Sequence, residues 1–241
     1  MINLQPNNFN LETTTLWSFP NRGNWATHKG SYRGNWSPYI PRNLILRYSL
    51  PGDWIIDQFL GSGTTLVEAK LLNRNAIGVD INQESINLSN SNLNFQVNNN
   101  SKIITRLANS KALHFIKDES IDLICTHPPY ADIIKYSHNI NGDISLLTHT
   151  DFLPAMVEVA RESYRILKEG KICCFMMGDI RHKGNVIPLA FETLNIFLQE
   201  GFKTKEIIIK KQNNCRSTKH WERRNNSFLL LAHEYIFVLQ K

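Results

Sequence analysis

Five consecutive residues, Thr126-His127-Pro128-Pro129-Tyr130, bring a hydroxyl, an imidazole, two prolines and a phenol together. They follow an apolar run, Ile121-Asp122-Leu123-Ile124-Cys125, that reads as a buried strand. A Pro-Pro step neither continues a strand nor opens a helix cleanly, so the backbone leaves the sheet there in a fixed, extended path. A ring and a polar side chain are thereby held at a strand's carboxyl end, which is where open α/β sheets bind ligands. Such a corner suits a flat group carrying an amine.

Upstream, Trp54-Ile55-Ile56-Asp57-Gln58-Phe59-Leu60-Gly61-Ser62-Gly63-Thr64-Thr65-Leu66 reads as strand, glycine turn and helix. Gly61 and Gly63 allow the backbone to approach a ligand, and Thr64 or Thr65 can cap the helix. Leu66 stands where a dinucleotide fingerprint has its third glycine, and a phosphate-binding loop would need Gly-Lys-Ser/Thr. The next strand, Asn75-Ala76-Ile77-Gly78-Val79-Asp80, ends in a carboxylate about 20 positions beyond the glycines, where a ribose diol is gripped. A nucleoside cofactor without a pyrophosphate fits better than NAD.

These two motifs, in this order, resemble those of DNA methyltransferases that methylate exocyclic amines, N6 of adenine or N4 of cytosine. The resemblance implies a Rossmann-like methyltransferase fold, S-adenosylmethionine as cofactor, a flipped base in duplex DNA as substrate, and a restriction-modification or similar host-marking role. It implies that Asp57, Gly61 and Gly63 cradle the methionine end of the cofactor, with Phe59, Ser62 and Thr64 beside them, and that Asp80 holds the ribose. Asn109 sits near the position where related enzymes carry an acidic adenine contact. Ser37-Pro38-Tyr39-Ile40-Pro41-Arg42-Asn43-Leu44 resembles the family's additional cofactor segment, which makes Pro38 and Tyr39 candidates; a proline-rich loop capping a helix over 43–48 is the other reading.

An exocyclic amine is a poor nucleophile because its lone pair is conjugated into the ring. Methyl transfer needs that pair localised and aimed, and orientation alone is worth roughly 7–11 kcal/mol. The Pro128 carbonyl and the His127 side chain are the natural acceptors for the amine protons, Thr126 stands beside them, and Tyr130 offers a stacking ring worth about 1–3 kcal/mol. Family members usually carry Asp, Asn or Ser at the position of His127. A neutral imidazole accepts through one nitrogen and loses that ability on protonation, which predicts an acidic limb in the rate between about pH 5 and 7. The other reading has His127 turned away and packed under the loop. Methylation at C5 of cytosine needs a cysteine after the motif's proline, whereas Cys125 precedes it and reads as core.

Around these residues the pattern alternates strand and helix. Further strands are expected at 103–107, 171–177, 206–210, and 228–232 continuing into 235–239. Helices are expected near 82–100, 151–167, with Gly170 as its stop, and 187–198. The fold class expected is α/β: a doubly wound, mostly parallel seven-stranded sheet with an antiparallel edge strand. The 241 residues read as one methyltransferase domain over 1–241, with an aromatic and basic segment over 1–50 that includes a cofactor-flanking helix. Loops at 131–150 and 212–227 are the candidate substrate-recognition elements. From them Lys135, Tyr136, Asn214, Arg216, Lys219, Trp221 and Arg223 are the residues expected on DNA.

The net charge of +6 has the sign for a polyanion partner. There is no run of some 18 apolar residues for a membrane span and no secretory leader. Four cysteines without metal-ligand spacing point to reduced thiols and a cytoplasmic location, with no metal. Double-stranded DNA is the expected partner; a homodimer or a separate recognition subunit stays open. Two rival functions share the motifs: an RNA methyltransferase acting on a tRNA or rRNA base amine, and a non-catalytic nucleic-acid-binding subunit that keeps the fold.

Overall fold

The computed structural model describes residues 3–213 and 228–241. In chain order the strands are β1 (Leu16–Ser18), β2 (Trp54–Asp57), β3 (Asn75–Asp80), β4 (Ile103–Leu107), β5 (Ile121–Thr126), β6 (Leu167–Met177), β7 (Ile180–His182), β8 (Asn185–Ile187), β9 (Lys203–Lys211) and β10 (His233–Gln240). The α-helices are α1 (Tyr39–Tyr48), α2 (Thr64–Leu71), α3 (Gln83–Leu93), α4 (His149–Ile166) and α5 (Leu189–Gln199).

Among the described residues eight strands form one sheet in the order β1-β9-β10-β6-β5-β2-β3-β4, and β7 and β8 pair separately. The run β4-β3-β2-β5-β6 is parallel throughout. β10 is antiparallel to both β6 and β9, so the antiparallel pairing lies toward one side of the sheet, as expected. Short β1 joins outside β9, where it buries Trp17 and brings the sheet to eight strands.

Side-chain alternation along the strands divides the core in two. On one face Ile55, Leu123, Cys125, Ile172 and Cys174 meet Ile40, Leu44 and Ile45 of α1, Leu66 and Ala69 of α2, and Ile86 of α3. On the other, Ile56, Ile124, Cys173, Phe175 and Phe237 meet Phe152, Met156 and Val159 of α4 and Leu194 and Phe197 of α5. Burial on both faces is why β5 and the second half of β6 read as continuous apolar runs.

Three expected boundaries shift. The segment 228–232 is apolar but not a strand, because β9 ends at Lys211 opposite His233 and β6 ends at Met177 opposite Tyr235, leaving nothing further to pair with. Gly170 does not stop α4, which already ends at Ile166. It has φ +72° inside β6, where the pairing with β5 slips between Ile121 and Leu123. Ile187, read as the first residue of a helix, instead ends β8, and α5 begins at Leu189.

The chain order reverses between β2 and β5. In open α/β sheets that switch point opens the ligand crevice at the strands' carboxyl ends.

Candidate active site

β2 and β5 are paired in parallel, Ile55 with Leu123 and Ile56 with Ile124, so the two sequence motifs leave the sheet side by side. They are bolted together. Thr126 Oγ1 donates to Asp57 Oδ1 at 2.7 Å, Thr65 Oγ1 donates to Asp57 Oδ2 at 2.5 Å, and the Gln58 N–H donates to Thr126 Oγ1 at 3.2 Å. Burial pushes the Asp57 carboxyl up to about 6, against the lowering effect of the Thr65, Thr126 and Phe59 hydrogen bonds. Thr126, expected beside the reacting amine, is fully buried and serves as a strut between strand ends. Asp57 lines the pocket, but both its oxygens are engaged with the protein's own donors.

The pocket over this switch point takes its floor from Phe59, Leu60, Gly61, Ser62 and Thr64. Asp80, Asn109, His127 and Pro129 line it as well. Gly61 holds φ +51° and its N–H donates to Asp80 Oδ2 at 2.9 Å. The Asn82 N–H donates to Asp80 Oδ1 at 2.9 Å, which leaves each oxygen a lone pair for a further donor. Burial raises the Asp80 carboxyl and these two N–H groups oppose the rise. Gly63 does not line the pocket. It caps α2 with φ +83°, and a Cβ there would run into the Ser89 hydroxyl, so its absent side chain serves helix packing. Gln58 also borders the pocket; its buried Nε2 has no hydrogen-bond partner.

The rest of the wall comes from the N-terminal segment, expected to flank the cofactor, and from the 131–150 loop, expected on substrate. Tyr32, Gly34, Asn35 and Trp36 line the pocket from the N-terminal side, and Tyr136, Gly142, Asp143 and Ile144 from the 131–150 loop. Tyr32 stacks on Tyr136, with ring centroids 6.0 Å apart and planes within 13°. Tyr136, expected on DNA, thus lines the pocket as one of a stacked ring pair, and Lys135 beside it is exposed. Pro38 and Tyr39 are displaced from the cofactor site, since α1 begins at Tyr39 and turns that ring onto Phe19 and Trp25. Asn214, Arg216, Lys219, Trp221 and Arg223 lie outside the described residues.

The N-terminal segment is held in place by buried Glu68 of α2. Glu68 Oε1 accepts from Trp25 Nε1 at 2.7 Å and lies 2.7 Å from His28 Nε2, and its Oε2 accepts from Arg42 Nη1 at 2.9 Å. Two basic residues of the 1–50 segment are engaged internally: Arg42 on Glu68 and Arg22 on the Trp36 carbonyl.

Beyond the prolines lies a chain of polar contacts. His127 stacks on Trp36 with centroids 5.5 Å apart and planes within 19°, and its Nε2 is 2.9 Å from the Tyr130 hydroxyl oxygen. That hydroxyl donates to Glu234 Oε1 at 2.8 Å, and Lys210 Nζ donates to Glu234 Oε2 at 2.8 Å. Burial pushes the His127 imidazole down to about 4, with Glu234 opposing and Lys210 assisting. Burial pushes the Glu234 carboxyl up, but Lys210, His127 and the Tyr130 hydroxyl outweigh it and hold the group below its ordinary value. The Tyr130 ring lies against Gly178 and packs on the core beneath the pocket. Glu234 and Lys210 went unread as site residues; the signal was an acid breaking the apolar run between Ala232 and Tyr235.

The chain matches the DNA methylase family over residues 3–91 and 121–241. It is 28% identical over 127 residues to the orphan methyltransferase M.BamHII of Bacillus amyloliquefaciens, covering 52% of this chain and 40% of that protein. It is 29% identical over 144 residues to the tRNA (guanine(10)-N2)-dimethyltransferase of Methanothermobacter thermautotrophicus, covering 59% of this chain and 38% of the relative. The matched stretches thus span less than half of either relative. The fold is similar to the crystal structure of a SAM-dependent methyltransferase from Methanosarcina mazei, with a TM-score of 0.58 and 17% identity over 82% of this chain and 96% of that one.

Proposed function

The chain belongs to the DNA methylase family, and from that premise we propose that it methylates an exocyclic amine, N4 of cytosine or N6 of adenine, on a base flipped out of duplex DNA. The observation that carries this reading is His127: a neutral imidazole beside the two prolines, lining the pocket that the glycine loop also lines.

The pocket's donor and acceptor set fits S-adenosylmethionine. Asp80 keeps lone pairs for a ribose diol, the Asn109 amide lines the same pocket and can bond an adenine edge, and the orphaned Gln58 amide lacks an acceptor. Bound there, S-adenosylmethionine supplies a methyl group made electrophilic by positively charged sulfur. Tyr32 and Tyr136, stacked on each other, wall the pocket on one side. His127 and the Pro128 carbonyl accept the two amine hydrogens, which draws the amine lone pair out of conjugation and aims it. When the amine is methylated, the unprotonated nitrogen of His127 would take up the amine proton. A fixed acceptor of this kind is worth roughly 10²–10⁴-fold.

The rival substrate, a base amine in tRNA, draws support from the tRNA-modifying relative. A non-catalytic role is disfavoured by an imidazole kept unprotonated where an acceptor is needed. A host-marking role in restriction-modification remains the biological setting we favour. Calorimetric titration with S-adenosylmethionine, followed by transfer of labelled methyl to duplex DNA or to tRNA, tests the proposal. Binding with transfer to DNA is expected; no binding, or transfer to tRNA alone, refutes it.

A further inference from the structure

A neutral imidazole carries one proton on either of two nitrogens, and what binds one nitrogen decides whether the other can accept. We propose that Glu234, held by Lys210, acts through the Tyr130 hydroxyl to keep the His127 proton on Nε2, leaving Nδ1 as the acceptor for the target amine. The catalytic half of this inference rests on the role of His127 proposed above; the tautomer half does not.

The argument is one of proton counting. Tyr130 has a single hydroxyl proton, and an ionised carboxylate is a far better acceptor for it than a neutral imidazole. That proton lies on the 2.8 Å bond to Glu234 Oε1. The phenolic oxygen then has only lone pairs to offer His127 Nε2 at 2.9 Å, so Nε2 must bring the proton. No described residue bonds Nδ1. Trp36, stacked on the imidazole, fixes the plane in which that nitrogen lies.

Three features show the relay to be built. Lys210 and Glu234 are directly opposed across β9 and β10, so the register itself delivers the cation to the carboxylate. Both are largely buried, and a buried ion pair is often no more stabilising than well-packed apolar residues, which points to a use other than stability. Gly178 supplies the gap: a Cβ there would lie 2.9 Å from the Tyr130 ring and 3.4 Å from Glu234 Cγ, in the space where the two side chains meet. Neither Glu234 nor Lys210 touches the pocket, so both are positioning residues.

Glu234→Gln is the diagnostic variant. Its amide oxygen is drawn to the Lys210 ammonium, which turns the amide NH₂ toward Tyr130. The phenol then accepts from Gln and donates to His127 Nε2, so the imidazole proton moves to Nδ1 and the acceptor is lost. Long-range ¹H–¹⁵N correlation spectra of uniformly ¹⁵N-labelled protein at pH 7 read the tautomer directly, with the His127 signals among the eight histidines assigned by their loss in His127→Asn. Wild type is expected as the Nε2–H form, Glu234→Gln as the Nδ1–H form, and Tyr130→Phe, which removes the hydroxyl altogether, as a mixture of the two. Glu234→Gln is also expected to lower kcat for methyl transfer by about 10²-fold while leaving cofactor affinity unchanged. An Nδ1–H wild type, or an unchanged tautomer in both variants, overturns the relay whether or not the protein methylates DNA. A reversed tautomer with unchanged kcat leaves the relay standing and overturns the acceptor role of His127.

Discussion

Thr126 donates to Asp57 at 2.7 Å across 69 residues of sequence, tying the end of β5 to the end of β2. The cofactor loop and the Pro-Pro corner are therefore one rigid unit, and a disturbance at either end reaches the other. Thr126→Val keeps the side chain's shape but removes one of the three donors to Asp57 and leaves the buried Gln58 N–H without its acceptor, at a cost of about 1–3 kcal/mol. Chemical denaturation should show that loss, together with weaker cofactor binding in titration.

The buried Asp57 carboxyl gives a stability prediction with a definite sign. Its folded value, about 6, lies above the unfolded 3.8, so between these values the folded state binds more protons. Stability therefore falls as pH rises through this window, by on the order of 3 kcal/mol, and is flat above about pH 7 as far as Asp57 is concerned. Unfolding free energies of wild type and Asp57→Asn, compared from pH 4 to 8, should diverge in that direction.

His127 behaves in the opposite sense and governs rate. With its value near 4, the imidazole is already neutral at pH 5, so the acidic limb expected from an ordinary histidine between about 5 and 7 moves down to the region of pH 4. His127→Asn should lose that limb while retaining turnover through its amide oxygen, and His127→Ala should fall by roughly 10²–10⁴-fold. Asp57→Asn serves as the control, since any limb near 6 that vanishes in it belongs to Asp57. Steady-state rates across pH 4–8 check all three.

Tyr136→Ala removes one half of the ring pair over the pocket. Such pairs are worth about 0.5–1.5 kcal/mol, so the cofactor dissociation constant should rise by up to about tenfold by calorimetry. DNA affinity measured without cofactor should barely change if the ring serves the pocket it lines rather than the duplex.

Glu68→Ala should destabilise the fold by about 3–5 kcal/mol, since it leaves Arg42 buried beside an empty place. Thermal and chemical unfolding measure the loss. Cofactor affinity should fall with it, because Tyr32 and Trp36 belong to the segment that Glu68 anchors.

Both motifs were legible because each is local: a strand end, a turn, and residues of fixed conformation within a few positions. The parallel run of strands was legible for the same reason, through alternation of apolar segments with helical spacing. What escaped was set by long-range register. Lys210 meets Glu234 only because β9 and β10 pair as they do, and neither is near Tyr130 in sequence. Tyr39 was misplaced because α1 begins one turn earlier than its proline suggested and carries the ring away from the pocket. Tyr32 was visible only as one aromatic among cations, with nothing local to set it apart from Trp17 and Trp25, which are core.

The central claim is amine methylation of a base in DNA. Its most direct test is nucleoside analysis of duplex DNA after incubation with the protein and methyl-labelled S-adenosylmethionine. Label in N4-methylcytosine or N6-methyladenine is the predicted result. Label in 5-methylcytosine, or label found only when tRNA replaces the duplex, contradicts it.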